Sequence, residues 1–191
     1  MADRLADVTA HRWGKHLHGL DDPIGVNEEA ATNVHARRLV IDPVHRAPIY
    51  EKCQELDIIV SITSSLYLGP DLTYIEPARV QHIAADFPNL LIVLPHGGWP
   101  YTLEYLGLGL MYNNLWFMPD FYVYLPGIPG ADLYVEAANS YLANRFLYAS
   151  SFPSIPLKLA LEYFTRLPFR PDVLENALYR NAKWILEERK Q

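Results

Sequence analysis

The chain has 191 residues, half of them hydrophobic and 13% aromatic, which suits one folded domain with a core and argues against a disordered protein. The formal net charge of −6 and the scattered basic residues argue against a nucleic-acid partner, because phosphate binding needs a clustered basic surface. Since the sequence has no run of about 18 apolar residues, we expect no membrane-spanning helix and no membrane partner.

The cysteine content and the amino terminus both indicate a cytoplasmic protein. Cys53 is the only cysteine, so the chain cannot form an internal disulfide, which fits a reducing compartment. Residues 1–7 lack the cationic start and the apolar run of a signal peptide. We therefore predict that the protein is cytoplasmic.

The first part of the chain, residues 1–36, has the least regular pattern, and we predict a poorly defined N-terminal segment there. It contains His11, His16 and His18, of which the last two have the spacing of a His-x-His metal pair. No strand pattern precedes this pair, since residues 12–15 are Arg-Trp-Gly-Lys. We interpret the three histidines as a chance or solvated cluster.

From residue 37 onward, strand patterns alternate with helix patterns. Apolar runs, the first three of which contain β-branched residues, predict strands at residues 39–41, 57–63, 90–94, 114–118 and 146–149. Helices are predicted at residues 48–56, 73–86, 100–112 and 131–143, with two more from Pro156 and Pro171. Because such alternation produces right-handed βαβ units, we predict that residues 37–191 form an α/β domain with five parallel strands.

Three local patterns add detail to this outline. Cys53 falls on the apolar stripe of its helix, which indicates a core position rather than a nucleophile. Thr73 and Glu76 have the spacing of a capping box that begins the next helix. The segment 121–130 is rich in tyrosine, proline and glycine and too irregular for either regular structure. It is either a lid over a substrate or a packed surface loop with aromatic anchors.

The stretch around which the chain is organised follows the strand at residues 90–94. Pro95 ends this strand, and His96 lies directly beyond its carboxyl end. In α/β barrels that end of the strands forms the functional face, so His96 is the leading catalytic candidate. The alternative is a buried histidine bonded to a neighbouring carbonyl. Gly97 and Gly98 favour a site, because they leave room for a ligand beside the backbone.

Three segments resemble one known family. Residues 94–98, Leu-Pro-His-Gly-Gly, resemble the strand-six motif of the amidohydrolase family that includes aminocarboxymuconate-semialdehyde decarboxylase and related hydrolases. Residues 144–153 resemble its strand-eight segment, and residues 174–186 resemble its closing helix. The resemblance implies a metal-dependent-hydrolase-like (β/α)8 TIM barrel. That barrel would be shortened, because a complete one needs eight strands and only strands four to eight are recognisable here.

The resemblance also implies a metal centre, from which this sequence departs. The family holds its metal with a strand-one His-x-His, a strand-five histidine and a strand-eight aspartate. Thr63 aligns with the strand-five histidine and Ser151 with the strand-eight aspartate. Neutral hydroxyls are poor ligands for zinc, the kind of divalent metal such a site would take. We therefore expect no metal at this site and no other cofactor.

A site without metal can still be built at the same strand ends. In it His96 is the acid/base group, oriented by Asp120 or Asp42, and Ser151 is its hydroxyl partner. A Ser-His-Asp triad is a further alternative, although no Gly-x-Ser-x-Gly sequence surrounds the serine. The predicted substrate-binding residues are Asp42, Thr63, Ser64, Trp99, Tyr101 and Tyr122. With Tyr124, the aromatic members suit a planar or apolar small-molecule ligand.

Two functional hypotheses follow. The first is a hydrolase or non-oxidative decarboxylase of a small organic or aromatic acid that lacks the family's standard metal site. The second is a catalytically inactive or truncated relative that binds a ligand or a partner. Because five strands of an open parallel sheet leave two unpaired edges and an uncovered face, we also expect a homo-oligomer.

Overall fold

The computed structural model describes residues 43–66 and 71–189, and in these ranges parallel strands alternate with helices. The sheet contains β1 (Val60–Ser61), β2 (Ile92–Pro95) and β3 (Leu115–Met118), in the order β1-β2-β3. All its pairings are parallel, as predicted. Backbone hydrogen bonds continue the pairing beyond β1, from Ile62 N to Val93 O (2.9 Å) and from Ser64 N to Pro95 O (3.2 Å).

The strand predicted at residues 146–149 lies in its expected place but is reduced to a single bridge. Phe146 pairs in parallel with Phe117 of β3. Leu147 N donates to Phe117 O at 2.8 Å, and Tyr148 N then turns to Ala177 O at 2.9 Å. The pairing stops there because the next amide bonds to a helix instead of a strand. The strand predicted at residues 39–41 lies outside the described residues.

Helices connect and cover the strands. In chain order they are α1 (Pro43–Glu55), α2 (Pro77–Asp86), α3 (Thr102–Met111), α4 (Phe121–Tyr124), α5 (Ala131–Ala138), α6 (Leu157–Thr165) and α7 (Pro171–Glu175). Helical backbone continues from α7 through Asn176–Arg180 and Asn181–Lys183 to Trp184–Glu188. Short 3-10 turns at Leu72–Ile75 and His96–Gly98 precede α2 and α3. Within the described ranges, no helix is both long and apolar enough to cross a bilayer.

Three predicted helix starts are wrong. The first helix begins at Pro43, so Pro48 lies inside it and does not open it. Thr73 does not cap α2, because Asp71 takes the cap position of the preceding turn and accepts a hydrogen bond from Thr73 N at 2.9 Å. The helix itself begins at Pro77, a residue that suits a first turn because its missing N–H would have no partner there. In the same way, α3 begins only at Thr102, so Pro100 does not open it.

The main core lies on one face of the sheet. Alternate residues of β2 and β3 point into it and are fully buried: Ile92, Leu94, Leu115 and Phe117. They pack against apolar side chains of α2, α3 and α5, and burying each contributes about 1.5–3 kcal/mol. Cys53 packs against the edge of this cluster, which confirms that it belongs with the core.

A smaller apolar cluster covers the opposite face of the sheet. It contains Val93, Trp116, Leu147 and Ile185. Trp184 stacks on Trp116 with ring centroids 5.4 Å apart and ring planes 10° apart. The helical segment that follows α7 therefore packs on the second face of the sheet and shields part of it from water.

Arg145 ties the end of α3 to the beginning of β3. Its guanidinium donates to the carbonyl oxygens of Gly109 (3.0 Å), Tyr112 (2.9 Å) and Leu115 (3.1 Å). Burial of this group lowers the pKa of Arg145. Arg145 reaches these carbonyls from two separate nitrogens of a rigid fork, whereas a lysine carries all its donors on one nitrogen and cannot reproduce that arrangement.

We therefore expect Arg145→Lys to lower the free energy of unfolding by about 2–3 kcal/mol, because two carbonyls lose a charged donor. Chemical denaturation of the variant and the wild type measures the difference. Arg79→Lys is the matched control, since Arg79 donates a single bond to Thr73 O at 2.8 Å, and it should cost less than about 1 kcal/mol. Equal losses in the two variants would contradict the role given to Arg145.

Candidate active site at the carboxyl ends of the strands

The carboxyl ends of neighbouring parallel strands meet at one edge of the sheet. His96 follows β2 directly, and Asp120 lies two residues beyond the end of β3. Ser151 follows the Phe146 bridge. The three predicted catalytic residues therefore stand at the ends of consecutive strands, on the face where open α/β sheets and barrels carry their sites.

His96 and Asp120 are in direct contact. Nδ1 of His96 lies 2.5 Å from Oδ2 of Asp120, and the two side chains are 27% and 7% exposed. Although the atoms are close, their alignment is not that of a hydrogen bond, so we interpret the contact as electrostatic. Because the contact with Asp120 is made through Nδ1, Nε2 is the candidate ring nitrogen for contact with a substrate.

The backbone is strained at all three strand ends. The φ angles of His96, Asp120 and Ser151 are 67°, 48° and 55°, in the left-handed region that residues with a Cβ rarely adopt. Each such residue costs about 1–3 kcal/mol, which the surrounding structure must supply. Strain of this kind concentrates at functional sites, and here it coincides with the predicted catalytic residues. Nothing in the residue types of the sequence signalled it.

The two glycines after His96 do not leave room for a ligand, so that prediction is wrong. A Cβ on Gly97 would lie 2.8 Å from the ring of Tyr134, and one on Gly98 would lie 2.1 Å from the ring of Tyr105. Tyr134 also donates its hydroxyl hydrogen to Gly97 O at 3.1 Å. The glycines are required because two buried tyrosine rings pack directly on the turn and fix the position of His96.

An aromatic wall stands beside His96. Trp99 and Tyr122 stack with ring centroids 5.1 Å apart and planes 17° apart. The rings of Tyr122 and His96 meet edge to face, with ring planes 89° apart and centroids 6.0 Å apart. Trp99 Nε1 donates to Pro129 O at 3.1 Å, which fixes the indole against the loop at residues 125–130. The predicted aromatic residues Trp99 and Tyr122 thus lie next to the predicted base.

The segment 121–130 is only partly a loop. Its first four residues form the helical turn α4, and Tyr122, Val123 and Tyr124 are buried. The prediction of a wholly irregular segment is therefore wrong for this half, because burial of its apolar side chains compensates for a sequence with weak helical periodicity. These residues serve as aromatic anchors, and residues 125–130 form the loop that remains.

Tyr124 connects the ends of β3 and the following strand-like segment. Its hydroxyl donates to Ser150 O at 2.9 Å. Burial raises the pKa of Tyr124, the adjacent Ser151 side chain opposes that rise, and the charge of Asp120 adds to it. Asp120 also adds to the raised pKa of Tyr134, whose main cause is burial. One tyrosine hydroxyl therefore lies close to both Asp120 and Ser151, a polar role that its sequence position did not indicate.

The other predicted binding residues lie in varied surroundings. Thr63 is half-buried just beyond β1, at the same edge of the sheet. Ser64 is fully buried, and its hydroxyl donates to Pro95 O at 2.8 Å. Tyr101 is partly buried and packs against the main core at the start of α3. Asp42 lies outside the described residues, and the binding roles of all four stay predictions.

Among residues 43–66 and 71–189, no group of three or more His, Cys, Asp or Glu side chains could hold a metal ion. The expected absence of a metal stays a prediction. Thr63 and Ser151 stand where the resemblance places a histidine and an aspartate, and a hydroxyl binds zinc poorly. The histidine pair of the N-terminal segment lies outside the described residues.

Two solved structures share this fold and extend beyond it. An uncharacterised TIM-barrel protein from Bordetella bronchiseptica is 35% identical, has a TM-score of 0.75, and matches over 79% of this chain and 53% of its own. A dihydroxybenzoic acid decarboxylase from Polaromonas sp. JS666, with bound manganese and the inhibitor 2-nitroresorcinol, is 14% identical. Its TM-score is 0.51, over 72% of this chain and 52% of its own, and it shows the fold alone. The chain thus spans about half the length of these structures.

These similarities agree with the parallel sheet. No curated protein matches the chain. The family model described as amidohydrolase matches residues 24–186, which include every described strand and both His96 and Asp120. The chain therefore has a partial TIM-barrel fold and belongs to the amidohydrolase family.

Proposed function

We propose that the chain is an enzyme, a hydrolase or non-oxidative decarboxylase of a small organic or aromatic acid, that acts without the standard metal site of its family. The observation that carries the proposal is the 2.5 Å contact between His96 Nδ1 and Asp120 Oδ2 at the carboxyl edge of the sheet. The decarboxylase among the structures of similar fold adds support at the level of fold.

In this proposal His96 transfers the proton and Asp120 supports its charge. For decarboxylation of an aromatic acid, Nε2 of a protonated His96 gives a proton to the ring carbon that bears the carboxylate, and the C–C bond to that carboxylate then breaks. Carbon dioxide leaves, the electron pair of the broken bond restores the aromatic ring, and the neutral His96 regains its proton from water. For hydrolysis of an amide, the neutral ring accepts a proton from the water that attacks the carbonyl carbon, and it returns this proton to the leaving amine as the C–N bond breaks. The buried charge of Asp120 stabilises the imidazolium in both cases, and a positioned acid or base of this kind contributes about 10²–10⁴-fold in rate.

The direct test is a substrate panel. The purified chain is incubated with substituted benzoic acids, small aliphatic acids and their amides, and carbon dioxide and products are quantified by chromatography. We expect turnover of at least one member of the panel. Binding of panel members without any turnover would contradict the enzyme and support the alternative, a catalytically inactive relative that binds a ligand. That alternative is favoured by the hydroxyl side chains of Thr63 and Ser151, which stand where the resemblance places metal ligands.

We expect the purified chain to hold far less than one divalent metal ion after dialysis, because hydroxyl side chains stand at Thr63 and Ser151 where the resemblance requires His and Asp. Elemental analysis measures the content, and treatment with a chelator should leave turnover unchanged. Close to one zinc or manganese ion per chain, removed by the chelator together with activity, would overturn the metal-free part of the proposal.

We further propose that the chain self-associates. Within the described residues β1 pairs with β2 on one side only, so its other edge offers backbone groups for pairing. Large apolar side chains are exposed as well: Leu56, Ile58, Trp184 and Leu186. Analytical ultracentrifugation should show a dimer or a larger species. A single monomeric species at micromolar concentration would contradict this expectation.

A further inference from the structure

A chain of two hydrogen bonds reaches the turn that carries His96. Tyr134 Oη donates to Gly97 O at 3.1 Å, and Thr102 Oγ1 lies 3.2 Å from Tyr134 Oη. A tyrosine hydroxyl has one hydrogen, and here the carbonyl of Gly97 takes it, so the hydroxyl of Thr102 is the donor in the second bond. Tyr134 and Thr102 are 0% and 4% exposed, so bulk water does not compete for either bond.

The chain of hydrogen bonds joins three elements of the fold. Thr102 begins α3, Tyr134 lies on α5, and Gly97 belongs to the turn after β2. Tyr134 holds Gly97 in two ways, because its hydroxyl binds the carbonyl oxygen and its ring packs on the backbone, where a Cβ would lie 2.8 Å from Cε1. A single side chain therefore fixes the residue that directly follows His96.

The backbone of this turn needs such support. His96 and Gly97 are consecutive residues in the left-handed region, with φ angles of 67° and 63°. The conformation is unfavourable for His96, which has a Cβ, and it persists only where the surrounding structure enforces it. The direction of the imidazole depends on this backbone conformation. A support for Gly97 is thus also a support for the contact between His96 Nδ1 and Asp120.

We propose that Tyr134 is a positioning residue of the strand-end site and that Thr102 acts through it. The two hydroxyls keep the turn in the conformation that holds the His96 ring against Asp120, so their loss should slow proton transfer without weakening substrate binding. Tyr134 is fully buried and acts on the reaction only through His96. The inference rests on the proposed function, because that function assigns the proton transfer to His96, but the position of the ring can be measured without turnover.

The hydroxyl of Tyr134 remains a donor near neutral pH. Burial raises the pKa of Tyr134, the hydrogen bond with Thr102 opposes that rise, and the charge of Asp120 adds to it. A hydroxyl with a raised pKa keeps its hydrogen, so the bond to Gly97 O is present throughout the neutral range.

Tyr134→Phe tests this role, because phenylalanine keeps the ring against Gly97 and removes only the hydroxyl. On a substrate found in the panel, kcat should fall about ten- to hundredfold while KM stays within about twofold, as expected when a reacting group is misplaced. NMR of the imidazole nitrogens gives the Nδ1 resonance of His96 beside the carboxylate in the wild type and without it in Asp120→Asn. In Tyr134→Phe this resonance should shift from the first position towards the second.

Tyr105→Phe is the matched control. Tyr105 is 0% exposed like Tyr134, and its ring packs on the neighbouring Gly98. Its hydroxyl also donates to a backbone carbonyl, at 3.0 Å, but that carbonyl belongs to Ile75. Both variants should lower the melting temperature by about 2–6 °C, because each loses one buried hydrogen bond. Only Tyr134→Phe should change kcat and the Nδ1 resonance of His96.

A second pair of variants tests Thr102 and keeps the test decisive if Tyr134→Phe fails to fold. Thr102→Val keeps the shape of the side chain and removes the donor, whereas Thr102→Ser keeps the hydroxyl. We expect Thr102→Val to lower kcat about three- to tenfold, the ratio that one net hydrogen bond provides, and to shift the His96 resonance in the same direction as Tyr134→Phe. Thr102→Ser should have nearly the kcat and the resonance of the wild type.

Several results would overturn the positioning role. They are an unchanged His96 resonance in Tyr134→Phe, an equal shift of it in Tyr105→Phe, and an equal fall of kcat in these two variants. A Thr102→Val variant identical to the wild type would overturn the part assigned to Thr102. If the panel acids are turned over while Tyr134→Phe changes neither kcat nor the resonance, the proposed function stands and the positioning role fails. If the resonance shifts as expected but no acid is turned over, Tyr134 positions His96 and the proposed function fails.

Discussion

Gly98→Ala should lower the free energy of unfolding by about 3 kcal/mol or more. The new Cβ would lie 2.1 Å from Cγ of Tyr105, and the φ angle of 83° is itself unfavourable for any residue with a Cβ. The tyrosine cannot retreat easily, because it is 0% exposed and its hydroxyl donates to Ile75 O at 3.0 Å. Urea denaturation of the variant measures the loss.

Gly107→Ala is the control for this substitution. Gly107 lies in α3, and a Cβ added there would meet no atom within 4 Å. Alanine has a higher helix propensity than glycine, so this variant should be more stable than the wild type by about 0.5–1 kcal/mol. A Gly98→Ala variant as stable as the wild type would show that the turn after His96 is not packed as the structure describes.

His96→Asn should lower kcat about 10²–10⁴-fold on any substrate found in the panel, while the melting temperature stays within about 2 °C of the wild type. Asparagine tolerates the left-handed backbone that His96 adopts with φ 67°, so the fold should not suffer. It cannot exchange a proton near neutral pH, so the acid/base step is lost. Steady-state kinetics and thermal unfolding of the same preparation measure both effects.

A structural histidine would behave in the opposite way. If His96 mainly held its neighbours in place, its loss would leave a buried partner unpaired, and the variant would lose about 1–3 kcal/mol with turnover retained. His82→Asn controls for the substitution, since His82 is exposed on α2 and its replacement should change neither kcat nor stability.

Asp120→Asn should lower kcat without loss of stability, because it removes a buried charge and keeps the shape of the side chain.

The sequence by itself determined where the strands lie and which histidine ends the central one. Short apolar runs bounded by turn residues are a local pattern, and local patterns survive any arrangement of the rest of the chain. The strands at Ile92–Pro95 and Leu115–Met118, their parallel pairing and the position of His96 at the carboxyl edge could therefore be predicted. The family could be recognised for the same reason, because its motifs are short and ordered along the chain.

Only the tertiary structure decided what surrounds His96. The sequence offered Asp120 or Asp42 to orient the ring, and the structure places Asp120 Oδ2 2.5 Å from Nδ1 because β3 pairs directly with β2, whereas Asp42 lies outside the described residues. It also assigned Gly97 and Gly98 to close packing instead of ligand access. Such contacts join residues that are far apart in the sequence, and their distances depend on how the strands and helices pack, which no local pattern of residue types records.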